Sequence, residues 1–505
     1  MPPVTDGRRI LITLVVCLAS VMQGLDGTIT NIALPFMQST FAASQDQIAW
    51  VITSYVVGAA VMIAISGYMA DRFGQLRVFV FSVVGFTVTS VLCGTAQSLS
   101  QIVLFRLIQG LCGACVVPLS QSVLLNIWPR EKHGQAMAIW GMGVTLAPIL
   151  GPTLGGYLTD TLNWRWVFLV NIPFGIICTI GLLILLPDTQ RQAGKYFNAK
   201  GFGYIAVALC ALQLALDRGQ TLDWLDSREI VIEFLTAAVC FYLFLMDMFT
   251  AKRPFMDPII FRDRNFVIGI ILTFLSGFVL WSVMVLWPNM LETLMGYPVL
   301  TAGMLMLPRG VGAMVAMGVA GNIVKSVGVR PMMLIGISFT VYSYWLASGF
   351  TLDTDAMRLA MVGFVQGAGT GLIFVPINAL TYSTLDNRYM TQAAVCFSLV
   401  RNVSTSMGIS IMVTLFSHNA VVNHAVLSEA INVFSPGLRG LVTSAASTVS
   451  PAALAALEGE VARQAAMTAY CDNFRFMAYT LAALSVLVIL SRPGKNAAAP
   501  IIHEI

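Results

Sequence analysis

Apolar runs of about 20 residues, each closed by a short polar or charged stretch, recur along the chain from Ile10 to Leu490. A helix of that length spans a hydrocarbon core about 30 Å thick. Fourteen such helices are expected. The first six are read at 10–35, 47–70, 78–96, 100–127, 135–158 and 166–186. Two follow at 202–216 and 230–250, and six more at 266–287, 301–324, 332–350, 356–384, 392–417 and 474–490. Arg8 and Arg9 ahead of the first run imitate a signal peptide, but the run is too long for one and reads as an uncleaved helix.

The polar connections carry a directional signal. Eighteen Lys and Arg residues fall on the side of the amino terminus and seven on the other, with only Arg106, Arg309 and Arg401 inside spans. Positive charge collects on the cytoplasmic side, so both termini are expected to be cytoplasmic. The asymmetry holds along the whole chain, which a miscounted span would have reversed.

The pattern also repeats. Gly67-x3-Asp71-x2-Gly74 after the second span returns as Gly321-x3-Lys325-x2-Gly328 after the tenth, 254 residues on. Ile108-Gln109-Gly110 in the fourth span returns as Val365-Gln366-Gly367 in the twelfth, 257 residues on. The chain therefore divides into a six-helix bundle at 1–190, two inserted helices at 191–260 and a second six-helix bundle at 261–505. That last unit includes an extracytoplasmic loop at 418–473, within which Ser450-Pro451 and the Ala-rich run that follows can start a helix. Parallel duplication of this kind builds transporters around a central cavity.

Composition narrows the class further. Apolar residues make up 57% of the 505 and charged residues 10%, where a soluble domain carries about a quarter charged. No basic face suggests nucleic-acid binding. HExxH, GxSxG and the phosphate loop GxxxxGK[ST] are all missing, so neither an embedded enzyme nor an ATP-driven pump is favoured. The nine cysteines form no disulfide framework. Cys112 and Cys115 make a CxxC, read as helix packing and not as a metal or redox pair. No metal or cofactor is expected, which leaves an ion gradient as the energy source.

Several motifs are more specific. GYMADRFGQLR, with Gly67, Asp71, Arg72, Gly74 and Arg77, combines a glycine turn with charges able to bond neighbouring helix ends. APILGPTLGG, with Pro148, Gly151, Pro152, Gly155 and Gly156, removes backbone donors and thins one face of the fifth span. LDGTITNIALP (25–35), FRLIQGLCGACVVPLSQS (105–122), LQLALDRGQTLDWLDSREI (212–230) and SLVRNVSTSMGIS (398–410) complete the set. Together, in this order, they resemble the EmrB-type multidrug efflux permeases of the major facilitator superfamily.

That resemblance implies an all-α membrane protein with the fourteen-helix major facilitator fold, in a bacterial cytoplasmic (inner) membrane. It implies export of small hydrophobic compounds in exchange for protons. The first motif would latch the cytoplasmic side, with Gln75 and Leu76 departing from the family's usual basic residues. The second would be the antiporter motif. The outer region would meet a periplasmic membrane-fusion adaptor and, through it, an outer-membrane channel.

Ionisable residues inside spans are costly and therefore informative. Asp26 lies about nine residues from the outer end of its span, about 13 Å deep, and Arg106 lies at a similar depth in the fourth. Asp26 is the expected proton carrier, with Arg106 or a cationic drug competing for its charge. The alternative is a static helix-to-helix ion pair. Arg309, beside Pro308, is expected near a helix break, and Arg401 as a structural anchor or anion contact. Gln23, Gln109, Gln121, Trp281, Gln366 and Asn378 are the expected cavity residues, since scattered amides and aromatics on an apolar wall suit bulky lipophilic cargo. A facilitator for a specific metabolite remains the competing reading.

Overall fold

A computed structural model describes residues 5–129, 132–187, 196–430 and 451–490. Among these, every regular element is a helix. The first bundle comprises α1 (Asp6–Phe41), α2 (Gln45–Phe73), α3 (Gln75–Gly94), α4 (Leu99–Ile127), α5 (His133–Thr161) and α6 (Trp166–Leu185). The inserted pair is α7 (Ala199–Arg218) and α8 (Arg228–Thr250). The second bundle comprises α9 (Arg264–Leu294), α10 (Val299–Val327), α11 (Val329–Ala347), α12 (Ala356–Thr381), α13 (Met390–Ala430) and α14 (Pro451–Leu490).

Twelve of these helices are long and apolar enough to cross a membrane. The other two, α11 and α14, stand where the remaining spans are expected. Arg330, Pro331, Tyr342, Tyr344 and Trp345 dilute the apolar run of α11. The boundary placed at 190/191 lies outside the described residues, as do the helix-capping Ser450 and six of the basic residues counted in the charge asymmetry, Arg130, Arg191, Lys195, Arg439, Arg492 and Lys495.

Within the first bundle α1 packs on α5 and α6, α2 on α4, and α3 on α4 and α6. In the second, α10 packs on α12, α11 on α12 and α14, and α13 on α9 and α14. The bundles meet where α5 lies along α10 and where α13 crosses α2 and α4. The inserted α7 lies against both α2 and α13, with α8 behind it.

The internal repeat is visible contact by contact. Gly74 turns the chain from α2 to α3 at φ 94°, and Gly328 turns it from α10 to α11 at φ 87°. Only glycine adopts that backbone without strain. A Cβ on Gly110 would lie 2.2 Å from the Tyr55 carbonyl oxygen, and one on Gly367 would lie 1.8 Å from that of Arg309. Tyr55 and Arg309 are themselves 254 residues apart, so the same close helix crossing recurs in both halves.

Two sequence expectations change. Pro308 sits inside an unbroken α10, so Arg309 does not mark a helix break. The segment 418–473 is not a loop over its described part. Helix α13 runs 41 residues, about 60 Å at 1.5 Å per residue, well beyond a hydrocarbon core of about 30 Å. It continues to Ala430, and α14 starts at Pro451 and packs back along it. Phe416 and Tyr470 lie 4.3 Å apart at their ring centroids, Asn423 donates to Asp472 at 3.1 Å, and His424 meets Glu458 at 2.9 Å. An Ala-rich polar stretch keeps its helical propensity after leaving the apolar layer.

Cys112 and Cys115 flank a turn that divides α4 into Leu99–Gly113 and Val116–Ile127. Both are free thiols. A Cβ on Gly85 would come within 2.8 Å of the Cys112 sulfur, so the small residues serve close packing of α3 on α4. No cluster of metal-ligating side chains occurs among the described residues.

Candidate functional site: a buried ion pair beside two cavities

Asp26 and Arg106 are brought together. They are 0% and 1% exposed, and Arg106 Nη1 donates to Asp26 Oδ2 at 2.5 Å. Asp26 Oδ1 accepts from Gln109 Nε2 at 3.0 Å and from Asn171 Nδ2 at 2.9 Å. Arg106 also donates to Gln109 Oε1 at 2.8 Å and to the Val51 carbonyl at 3.2 Å. Its guanidinium lies 4.4 Å from the centre of the Tyr55 ring and 5.5 Å from that of Phe168. Ser90 closes the network, accepting from Gln109 and Asn171. Helices α4 and α6 thus bond the carboxylate of α1 directly, and α2 and α3 join the network through Arg106 and the two amides. Charge-assisted bonds of this kind are shorter and stronger than neutral ones, and in low dielectric they hold helices in register.

The structure also holds two cavities, of which only the larger touches this network, at Tyr55. A central one of about 90 Å³ is walled by α9, α10, α12 and α13 of the second bundle and closed by α5 of the first. Its apolar surface includes Val144, Ile149, Met306 and Phe374, and Arg309 and Arg401 border it. A larger chamber of about 590 Å³ lies between α1, α2 and α13 with α7 as a further wall. Tyr55, Asp217, Gln213 and Arg401 line it. Arg401 thus borders both spaces.

At the end that carries the α2–α3 turn the two bundles are closed. Gln75 donates to Ser122 at 2.6 Å and Ser122 bonds Thr391 at 3.1 Å, which ties α3 and α4 to α13. A Cβ on Gly67 would meet Val395 at 3.2 Å, so α2 and α13 touch here. Across the other contact Gln135 donates to Asn322 at 3.2 Å. Asp71 borders a polar recess that also includes Arg388 and Tyr389. Arg72 lies over the Tyr68 and Phe73 rings, and Arg77 is exposed. The two bundles are therefore tied together at the motif end, while the chamber reaches Asn31, Leu34, Asp217 and Gln220 towards the opposite end.

The fifth-span glycines serve contact. Gly151 would place a Cβ 2.2 Å from Thr28 Oγ1, and Gly155 one 3.2 Å from Ile29, so α5 rests on α1 with almost no side chain between. Pro148 borders the central cavity, while Pro152 lies against Gly303 of α10. Gly156 is buried in the same helix.

Of the expected cavity residues, Trp281 and Asn378 line the central cavity and Gln23 lines the chamber. The other three are corrected. Gln109 belongs to the Asp26 network. Gln366 is buried and accepts from Arg309 Nε while its amide donates to Tyr344 and Thr370. Gln121 is 0% exposed, enclosed in the first bundle. Asp26 and Arg106 border neither cavity, so the expected competition of a cationic drug for the carboxylate has no route in this conformation. Asn171, Ser90 and Tyr55 went unread in the sequence, since single polar residues in spans are common helix glue. Gln75, a departure from the family's basic pattern, joins the two bundles through Ser122 and Thr391.

Two helical bundles that repeat the same turn and the same close helix crossing are the architecture of a secondary transporter. The sequence profile of the Major Facilitator Superfamily matches residues 16–409, and the chain belongs to that superfamily. Within it the chain groups with the EmrB-type permeases. It is 36% identical to the multidrug export protein EmrB of Haemophilus influenzae over 439 residues, 86% of each chain. It is 33% identical to EmrB of Escherichia coli K12, covering 87% of this chain and 86% of that one. Among solved structures, the proton:xylose symporter XylE superposes with a TM-score of 0.61 at 15% identity, over 97% of this chain and all of that one, which establishes the fold alone.

Proposed function

We propose that this permease exports hydrophobic, drug-like compounds across a bacterial cytoplasmic membrane in exchange for protons. The observation that carries the reading is the asymmetry of the two ends: bundles tied together at the motif end, a chamber reaching towards the other, and a fully buried carboxylate between. The motif end is cytoplasmic, as are both termini, in keeping with the positive charge gathered there. The present conformation then faces outward.

Asp26 takes the proton. Its pairing with Arg106, Gln109 and Asn171 holds α1, α4 and α6 together while it is ionised. Protonation removes the charge that Arg106 is bound to and frees those helices to shift. Proton and cargo exclude one another through helix packing, because a wall containing Tyr55 separates Asp26 from the chamber. The competing reading is a static ion pair, and the three donors that saturate Asp26 favour it. The cargo is lipophilic, as the apolar central wall suggests.

The protruding α13–α14 hairpin is the proposed contact for a periplasmic membrane-fusion adaptor leading to an outer-membrane channel. A drug-susceptibility panel in a pump-deleted host, with and without a cognate adaptor, tests the reading. Raised resistance to several unrelated hydrophobic compounds supports it. Resistance to none, from a protein that reaches the membrane, refutes it. Transport in proteoliposomes that ignores an imposed pH gradient would replace exchange by facilitation.

A further inference from the structure

The buried carboxylate has one side on which water comes near. Asp26 borders neither cavity, and of the residues that line the larger chamber only Tyr55 also touches its network, among the described residues. The Tyr55 ring centre lies 4.4 Å from the Arg106 guanidinium, and its hydroxyl accepts from Gln23 Nε2 at 3.4 Å. Gln23 is itself a chamber residue, one turn before Asp26 on α1. The other sides are filled by protein. Helix α3 presents Ser90 and Cys93, whose sulfur lies 3.5 Å from Gln109 Oε1, and α6 presents Asn171 and the Phe168 ring. Helix α5 meets this stretch of α1 through Ala147 and Gly151. The titratable or charged groups that face Asp26 are therefore Arg106 on α4, Tyr55 on α2 and Cys93 on α3, and the chamber beyond Tyr55 adds Asp217 and Arg401.

This wall yields only at the side chain. A Cβ on Gly110 would lie 2.2 Å from the Tyr55 carbonyl oxygen and 3.1 Å from the Ala59 nitrogen, and one on Gly58 would lie 2.6 Å from the Leu107 carbonyl oxygen. Helices α2 and α4 are thus pressed backbone to backbone, so the Tyr55 main chain cannot withdraw from Arg106. Its ring can turn to another staggered rotamer, and the chamber of about 590 Å³ has room to receive it. The repeat ties the ring to the acid. Shifted by 254 residues, Asp26 becomes Leu280 and Tyr55 becomes Arg309. The second bundle keeps the glycine crossing but has neither the carboxylate nor the ring, so helix packing alone does not call for an aromatic side chain here.

We propose that the Tyr55 side chain is the gate through which protons reach Asp26, turning aside to admit them from the chamber and closing behind them. This rests on the reading of Asp26 as the proton carrier. With the ring aside, a hydronium ion in the chamber gives its proton to an Asp26 carboxylate oxygen and stays behind as water. Arg106 then loses its counter-ion and keeps Gln109, the Val51 carbonyl and the Tyr55 ring. A guanidinium without its anion draws the ring face more strongly than a paired one. The gate is loosest before proton uptake and tightest after it.

Carboxyl labelling of the full-length protein in nanodiscs tests this. A water-soluble carbodiimide with glycinamide is applied at mildly acidic pH, and the modified peptides are timed by mass spectrometry. Asp217, on the chamber wall, is the internal control and should label at one rate in every variant. Tyr55→Ala should label Asp26 at least about fivefold faster than the parent, the weight of about one desolvated cation–π contact. Tyr55→Phe keeps the ring and should match the parent. Tyr55→Trp, a stronger cation–π partner, should be at least about twofold slower. If Tyr55→Ala does not fold, Tyr55→Leu, which fills the crossing without an aromatic face, replaces it. An Asp26 rate that is unchanged in Tyr55→Ala or Tyr55→Leu, raised equally in Tyr55→Phe, or not slowed in a folded Tyr55→Trp overturns the proposal. No gradient or cargo is present in the labelling. The expected order alongside efflux that ignores pH would therefore sink the exchange reading and leave gated access standing.

Discussion

Replacing Asp26 by Asn isolates the energetics of the buried pair. The amide keeps the shape but not the charge, so Arg106, 1% exposed, is left with Gln109 Oε1, the Val51 carbonyl and the Tyr55 ring. Breaking a buried pair by removing one partner costs about 3–5 kcal/mol, most of it the uncompensated charge. Arg106→Met should cost a similar amount, because Asp26 would retain only Gln109 and Asn171. The double replacement Asp26→Leu with Arg106→Met removes both charges and imitates the second bundle, where Leu280 stands at the matching position. It should recover most of the loss, falling within about 2 kcal/mol of the parent, since a hydrophobic substitute for a buried pair is often near neutral. Unfolding titrations in mixed micelles, with Asp26→Leu alone completing the cycle, give the stabilities and hence the coupling energy. Single replacements that each cost less than about 1 kcal/mol, or a double that equals the sum of its singles, would refute the reasoning.

Other outcomes follow from particular contacts. Gly367→Ala puts a methyl 1.8 Å from the Arg309 carbonyl and should lower stability by about 1–3 kcal/mol, read as a reduced Tm in detergent. Gln75→Leu removes one link of the Gln75–Ser122–Thr391 chain, worth about 0.5–1.5 kcal/mol to the closed motif end. Spin-label distances between the motif ends of α2 and α13 should then show the open form enriched by up to about tenfold. Val421→Ser with Val426→Ser alters exposed positions on the protruding part of α13, 71% and 59% accessible, and should leave vesicle transport intact. Whole-cell resistance should fall if the adaptor docks there, and unchanged resistance would place the contact elsewhere.

The fold was legible because water and lipid sort residues so sharply. Runs of about 20 apolar residues can only be helices when no water is present to satisfy the backbone. The repeat was legible because Gly74, Gly110, Gly328 and Gly367 stand where a turn or a crossing admits nothing larger. The ion pair was legible from the rarity of charge in spans. What sequence could not supply was rotation about each helix axis. Gln109 and Gln366 share a repeat position and were both expected in the cavity, yet each turns into its own bundle and binds an arginine. Residues that border the central cavity, such as Met306 and Phe374, look like any lipid-facing apolar residue until the neighbouring helices are in place. In 418–473 the helix start at Pro451 was legible from the proline and the Ala-rich run after it, whereas the extension of α13 to Ala430 was not, because loss of hydropathy marks the end of the membrane and not the end of the helix.

The central claim is that Asp26 couples a proton gradient to export. Efflux of a fluorescent hydrophobic dye from proteoliposomes, with and without an imposed pH gradient, tests it most directly when the parent is compared with Asp26→Asn. The account predicts that the gradient accelerates efflux by the parent, while the Asp26→Asn variant still exchanges dye down the dye's own gradient but ignores pH. Full pH-driven efflux by that variant would contradict it and leave the buried pair a purely structural clasp.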